Sequence, residues 1–371
     1  MKWLVVLMLT LASTLPAAAQ EVHQEVQSIV RGEVVSVDAT REERIMGTSA
    51  STTVQTLTVR LLGDEYHDRE VTFENDLIPL EPGDDIYVTH ITTINGDEYF
   101  YLQDVVRHNY LVVLGVLLVG LLLWFARWQG ARALLSLALS VAAILGILVP
   151  AMLAGYNPVS VSLIVAGIIL ALVLFGTHGV NAQSTIAFGG TFGAVCVTSI
   201  LAGVFVEGMR LTGFGADASV ALNFATEGQL DFAGLLLGSI IIGMLGVLDD
   251  VAITQSSVVL QLKAANQALG STELYRRAII VGRDHVSSLV NTLAFAYVGA
   301  ALPMVLLFSV SEASVLVTLN REIIAAELVR ILVGSIGLIM AVPLTTALAA
   351  WWFAGHTVDE QPLSSCGHHH H

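Results

Sequence analysis

The sequence predicts a mixed architecture. A small exported all-β barrel, OB-like or SH3-like, is followed by an α-helical polytopic membrane bundle of about seven transmembrane helices. Three observations carry that reading. The 371 residues are 55% hydrophobic and only 13% charged, whereas a soluble domain carries roughly 25% charged residues. Residues 26–106 alternate apolar and polar side chains between turn signals, the period of half-buried strands. From residue 110 onward, apolar segments of near-spanning length recur.

Residues 1–20 read as a signal peptide or a signal anchor. Lys2 precedes the short apolar run LVVLMLTLAS, and Ala17, Ala18 and Ala19 form a small-residue cleavage site. Residues 21–108 form the expected β domain, with strands at 26–37, 53–62, 70–75, 85–90 and 99–106. Gly63-Asp64, Pro82-Gly83 and Asn95-Gly96 separate them, and the last pair is a hairpin signal. Between 21 and 108 the chain holds 18 acidic and 6 basic residues, most of the net charge of −15. That balance excludes nucleic acid as a partner, which requires a basic surface. A protein partner docking on this domain is compatible with it.

Residues 109–355 are the expected membrane domain, with spans at 110–125, 133–153, 159–175, 185–206, 232–248, 286–310 and 328–353. The loops at 127–132, 176–184 and 249–285 collect Arg127, Arg132, Lys263, Arg276, Arg277 and Arg283, while the opposite loops hold Arg210, Arg321 and Arg330. The positive-inside bias then puts the β domain outside and the C-terminus in the cytoplasm. The stretch 249–285 is too polar to span and continues as an amphipathic helix, with Val258, Leu260, Leu262 and Leu269 on or near the membrane surface, and Gly270-Ser271-Thr272-Glu273 reads as a stop followed by a new helix start. Gly189 and Gly193, like Gly234 and Gly238, have the GxxxG spacing of close helix packing. Residues 356–371 form a tail ending in a histidine run with the character of a tag. Two cysteines, Cys196 and Cys366, imply no disulfide framework.

The chemistry concentrates between Gly246 and Pro303. Asp250, Thr254, Ser257 and Gln261 share one helix face, and Asp284, Ser288 and Asn291 share another, with His285 and Thr292 on a neighbouring stripe. Polar groups within a membrane bundle face protein or water, and an ionisable one marks a functional site by default. Two such stripes predict one polar cavity, with Asp250 and Asp284 as ion or proton sites and Ser257, Asn291 and Tyr297 as lining. This oxygen-rich set suits a hard cation or protons. Secondary candidates are Asp249, Arg283, His285, His178 and Asn181, with Arg283 expected to pair with Asp284. Cofactor and metal stay unassigned.

The runs DVAITQSSVVLQL and ELYRRAIIVGRDHVSSLVNTLAFAYVGAALP carry Asp250, Ser256, Ser257, Gly282, Arg283, Asp284, Asn291, Thr292, Ala296, Tyr297, Gly299 and Pro303. At these positions the chain resembles the YibE/F family of bacterial multi-transmembrane proteins. GVNAQSTIAFGGTFGA at 179–194 resembles another element of that family, but Ala182 and Gln183 stand where the pattern has a basic residue. The resemblance implies a multi-pass protein of the bacterial cytoplasmic membrane, described as a permease, that moves a small solute or ion and is not an enzyme. Two alternatives stay open: a non-transporting regulator or assembly partner that docks proteins through its β domain, and an intramembrane hydrolase using Asp249 or Asp250 with Asp284.

Overall fold

The computed structural model describes residues 26–357, apart from 48, 64, 65, 67, 94, 216, 311 and 312. The expected signal segment, Cys366 and the histidine run lie outside the described residues. Contacts divide the chain into two units, Met1–Leu121 and Leu122–His371.

The first unit is a curled antiparallel sheet of five strands: β1 (Val26–Arg44), β2 (Ser51–Leu62), β3 (Glu70–Asn75), β4 (Asp85–Thr92) and β5 (Glu98–Val105), in the order β3-β2-β1-β4-β5. The edge strands β3 and β5 also approach each other, so the sheet bends toward a barrel. The long β1 pairs with β2 and β4 and carries register shifts between Val34 and Ser36 and between Val37 and Ala39. Bulges of this kind bend a strand and raise its twist. Gly32 sits where a Cβ would lie 2.7 Å from a Val59 methyl, so only glycine lets β1 lie this close to β2. Alternation delivers Val34, Leu57, Val59, Leu61, Ile86 and Val88 to a core in which each is at most 1% exposed. Burial of such side chains stabilises by about 1.5–3 kcal/mol each.

From the last residues of the first unit onward the chain is helical. Helix α1 (His108–Ala143) runs through a π turn (Ile144–Leu148) into α2 (Val149–Leu153). Then come α3 (Pro158–His178), α4 (Ala182–Gly208), the short α5 (Asp217–Ala225), α6 (Phe232–Ala265), α7 (Ser271–Ala300), α8 (Leu302–Ser309), α9 (Val315–Leu319) and α10 (Glu322–Ala354). Among the described residues, five helical stretches are long and apolar enough to cross a membrane. They become six if α7 and α8, bent by 67° at their junction, form one broken span. Helices α6 and α10 form the centre: α10 packs on α4, α6 and α7, while α6 also contacts α3 and α4.

Local chemistry explains the helix starts. Asn157, Asn181 and Asp231 each accept a bond from the backbone N–H three residues on, at 3.0, 2.9 and 2.9 Å, capping α3, α4 and α6. The Glu322 carboxylate at the start of α10 accepts from the Thr212 and Gly213 N–H groups, both at 2.7 Å, and fastens the loop after α4.

The first two expected spans, 110–125 and 133–153, are separate: the helix that starts at His108 breaks at Arg127 (φ 49°, ψ −126°), inside the expected loop 127–132. A Cβ on Gly130 would lie 2.7 Å from the Leu122 carbonyl oxygen, so the chain turns back sharply there. Two expectations are corrected. The stretch 249–285 is helical on both sides of a stop at Gly270, as expected, but its apolar residues are not spread on a membrane surface. Helix α6 continues unbroken to Ala265, α7 begins at Ser271, and Leu269 is buried rather than laid on a membrane surface. No glycine or proline lies between Val247 and Leu269, and polarity alone does not stop a helix whose polar groups find partners. Buried Lys263 donates to the carbonyls of Gln267 (2.8 Å), Leu269 (3.1 Å) and Ala354 (3.3 Å), tying together α6, the turn and α10. Finally, the close contact at the first GxxxG pair is made by Gly190, against Thr345, while Gly193 faces open space.

Candidate functional site

The polar residues of α6 separate onto two faces. Val251, Ala252, Gln255, Ser256, Val259 and Lys263 are buried, whereas Asp250 and Gln261 are exposed and Thr254 and Ser257 half-buried. On α7 the inward stripe is Leu274, Ala278, Gly282, His285, Leu289 and Leu293. Asp284, Ser288, Asn291 and Thr292 are all exposed on the other side. The two expected stripes therefore do not face each other across one cavity within the chain. Residues 284, 288 and 291 sit roughly half a turn from 282, 286 and 293 at 3.6 residues per turn, and α7 turns its glycine face toward α6.

The structure brings together a different set. The Gln255 amide lies against Gly282 of α7 and leaves no room for a Cβ there; that Cβ would also lie 2.6 Å from a Val342 methyl of α10. Gln255 is 2% exposed, and neither its Oε1 nor its Nε2 has a hydrogen-bond partner. One turn along α7, the buried Nε2 of His285 is likewise unpartnered, and so is the Oγ1 of fully buried Thr345, one turn along α10 from Val342. Next to Gln255, the Ser256 hydroxyl donates to the Gln183 carbonyl at 3.1 Å, which ties α6 to the start of α4.

The remaining candidates surround this core. Asp249 is half-buried and accepts a bond from the Asp250 N–H at 2.9 Å. Asp250 lies close enough to His178 for their charges to interact. Asn181 is the α4 cap and donates from Nδ2 to the His178 carbonyl at 3.0 Å, so its local role is to shape the α3–α4 turn. Tyr297 is half-buried, and its hydroxyl lies over Gly243 of α6, 2.9 Å from where a Cβ would stand. Thr292 donates to the Ser288 carbonyl at 3.1 Å. Arg283 and Asp284 do not form the expected pair: among the described residues neither belongs to an ion pair, whereas Arg276 and Arg277 both bind Glu273, at 2.7 and 2.6 Å. Among the described residues no cluster of His, Cys, Asp and Glu has metal-binding geometry.

Sequence reasoning missed Gln255 and Thr345 because neither shares a helix face with a carboxylate. The available signal was an amide and a hydroxyl on the apolar faces of long helices, opposite glycines. A profile described as YibE/F-like protein matches residues 114–355. No curated protein and no solved structure shows significant similarity to the chain.

Proposed function

The chain belongs to the YibE/F-like family, and from that premise we propose that this multi-pass membrane protein is a permease for a small solute or ion. The observation that carries the proposal is the set of unpartnered polar atoms on Gln255, His285 and Thr345, where α4, α6, α7 and α10 meet. A buried polar group without a partner costs about 1–3 kcal/mol. His285 and Thr345 each stand one turn from a residue packed at Gln255, on opposite sides of it along antiparallel α7 and α10, and polar atoms spaced in this way suit a path on which water or a solute supplies the missing bonds. The break between α7 and α8 supports the same reading, since transporters build their sites from discontinuous helices. Asp250 and Asp284, both exposed, serve as charged entrance groups at the end that carries the α3–α4 turn, with Ser257, Ser288, Asn291 and Thr292 beside them. The basic bias of that end supports a cytoplasmic mouth and an extracytoplasmic β domain in a bacterial inner membrane.

In proteoliposomes, proton, sodium, potassium and magnesium flux is measured for the wild type, Gln255→Leu and Asp284→Asn. The wild type conducts at least one of these above empty vesicles. Gln255→Leu lowers that flux tenfold or more while retaining its helix content, and Asp284→Asn lowers it through loss of the entrance charge. Wild-type flux no higher than the empty-vesicle background, or full flux in both variants, defeats the proposal.

A second reading, a partner-docking protein, is favoured by one observation. Tyr99 and Tyr101 stack at 6.5 Å on the outer face of β5, 47% and 50% exposed, with Ile29 exposed on the same side of the sheet.

A further inference from the structure

A cavity of 760 Å³ opens between α7 and α10. Its walls are Ile279, Val286 and Val290 on α7 and Ile339 and Val342 on α10, with Gly282 behind them, Tyr275 at one end and Arg283 midway along. The level of Arg283 follows from the contacts and the sequence of α7. Gly282 packs on Gln255, and the adjacent Ser256 bonds Gln183 at the start of α4. On α7 no charged residue follows Asp284, so Arg283 stands at the polar edge of the apolar part of that helix, where lipid headgroups lie. From Arg283 the slot runs toward the bilayer interior over roughly 10 Å, seven residues of helical rise.

Of the three arginines on α7, Arg276 and Arg277 share the Glu273 carboxylate, while Arg283 is exposed and has no acidic partner among the described residues. Pro343, also in the wall, has no N–H to offer the Ile339 carbonyl four residues earlier.

The geometry points to a binding site for one anionic phospholipid, its phosphate on Arg283 and an acyl chain in the slot between α7 and α10. A guanidinium binds phosphate through two parallel hydrogen bonds. Basic pockets between transmembrane helices at headgroup level are the places where such lipids are held. A free phosphate satisfies Arg283 and leaves the apolar slot empty, so the lipid is the occupant that matches both halves. This site goes beyond the transport reading and does not depend on it.

The test uses the full-length protein, delipidated in detergent and titrated with phosphatidylglycerol, phosphatidylcholine or inorganic phosphate. Native mass spectrometry and thermal melting are the readouts. The wild type retains one phosphatidylglycerol per chain and melts higher with it, while phosphatidylcholine binds roughly fivefold more weakly or worse, as expected for losing one charge contact. Arg283→Gln weakens phosphatidylglycerol binding by a similar factor, Arg283→Lys by less, and Arg276→Gln not at all. Ile339→Trp, which fills the slot and keeps the arginine, also loses the lipid; if that variant fails to fold, the arginine series decides. Equal binding of the two lipids, or unchanged binding in Arg283→Gln, overturns the proposal. So does an Arg276→Gln loss equal to that of Arg283→Gln, which indicates diffuse surface charge. A melting shift reproduced by inorganic phosphate alone also overturns it, because the site then takes a free anion.

Discussion

Glu98 in the β domain shows how a single side chain couples fold to pH. Arg69 binds its carboxylate at 2.8 Å, and His90, stacked on Phe100 with ring centroids 4.6 Å apart, approaches it at 3.4 Å. The hydrogen bond from Arg69 holds the Glu98 carboxyl below the usual glutamate range, against a smaller opposing effect of burial. A depressed folded-state value favours the folded state at every pH above the unfolded glutamate range. That contribution is lost as pH falls through the depressed value. Thermal melting of the β domain within the intact protein is therefore expected to fall less steeply with acid in Glu98→Gln than in the wild type. Identical acid limbs in both proteins refute the coupling. Gln255 is the same kind of argument in an apolar setting, where a missing partner matters more than a charge.

Helix α4 shows what neighbours do to a small-residue motif. The spacing of Gly189 and Gly193 is that of a packing face, but the contact falls on Gly190, whose Cβ would lie 2.8 Å from the Thr345 backbone Cα. At Gly189 the nearest atom is a Leu348 methyl at 3.9 Å, and at Gly193 nothing is near. Gly190→Ala is expected to destabilise the protein by about 1–3 kcal/mol through overpacking. Gly189→Ala and Gly193→Ala are neutral or slightly stabilising, because alanine has the better helix propensity. Melting temperatures of the three variants in one detergent check this, and an unaffected Gly190→Ala protein contradicts the packing. Helix α7 makes the complementary point: its conspicuous polar stripe faces outward, and its glycine and histidine face the bundle.

At the scale of the whole molecule, the charge bias predicts which side of the membrane each end occupies. The basic residues gather at Arg276, Arg277 and Arg283, on the side of the α6–α7 turn. In a background lacking Cys196 and Cys366, a cysteine at Gly96 is expected to react with an impermeant maleimide in intact cells, and one at Gly270 only after lysis. The reverse pattern inverts the topology and moves the proposed lipid site to the other leaflet.

Sequence alone determined the class of the protein and the five strands, whose bounds it placed within a few residues except at the C-terminal extension of β1. Alternation over 70–75 and a glycine-marked turn at 95–96 are local signals, and strands follow them closely. It also determined the apolar helices and the family of residues 114–355. The break between the first two apolar segments, at Arg127, falls inside the loop that the polar residues of 127–132 mark in the sequence. The tertiary structure decided where α6 ends, because Lys263 finds three carbonyls that only folding assembles. It decided which polar residues meet. Asp284 and Asn291 share a face by helical periodicity, but periodicity does not say toward which neighbour that face turns. Close packing chose Gly282 for the contact with α6, since any side chain there collides with Gln255, and so turned the charged stripe outward.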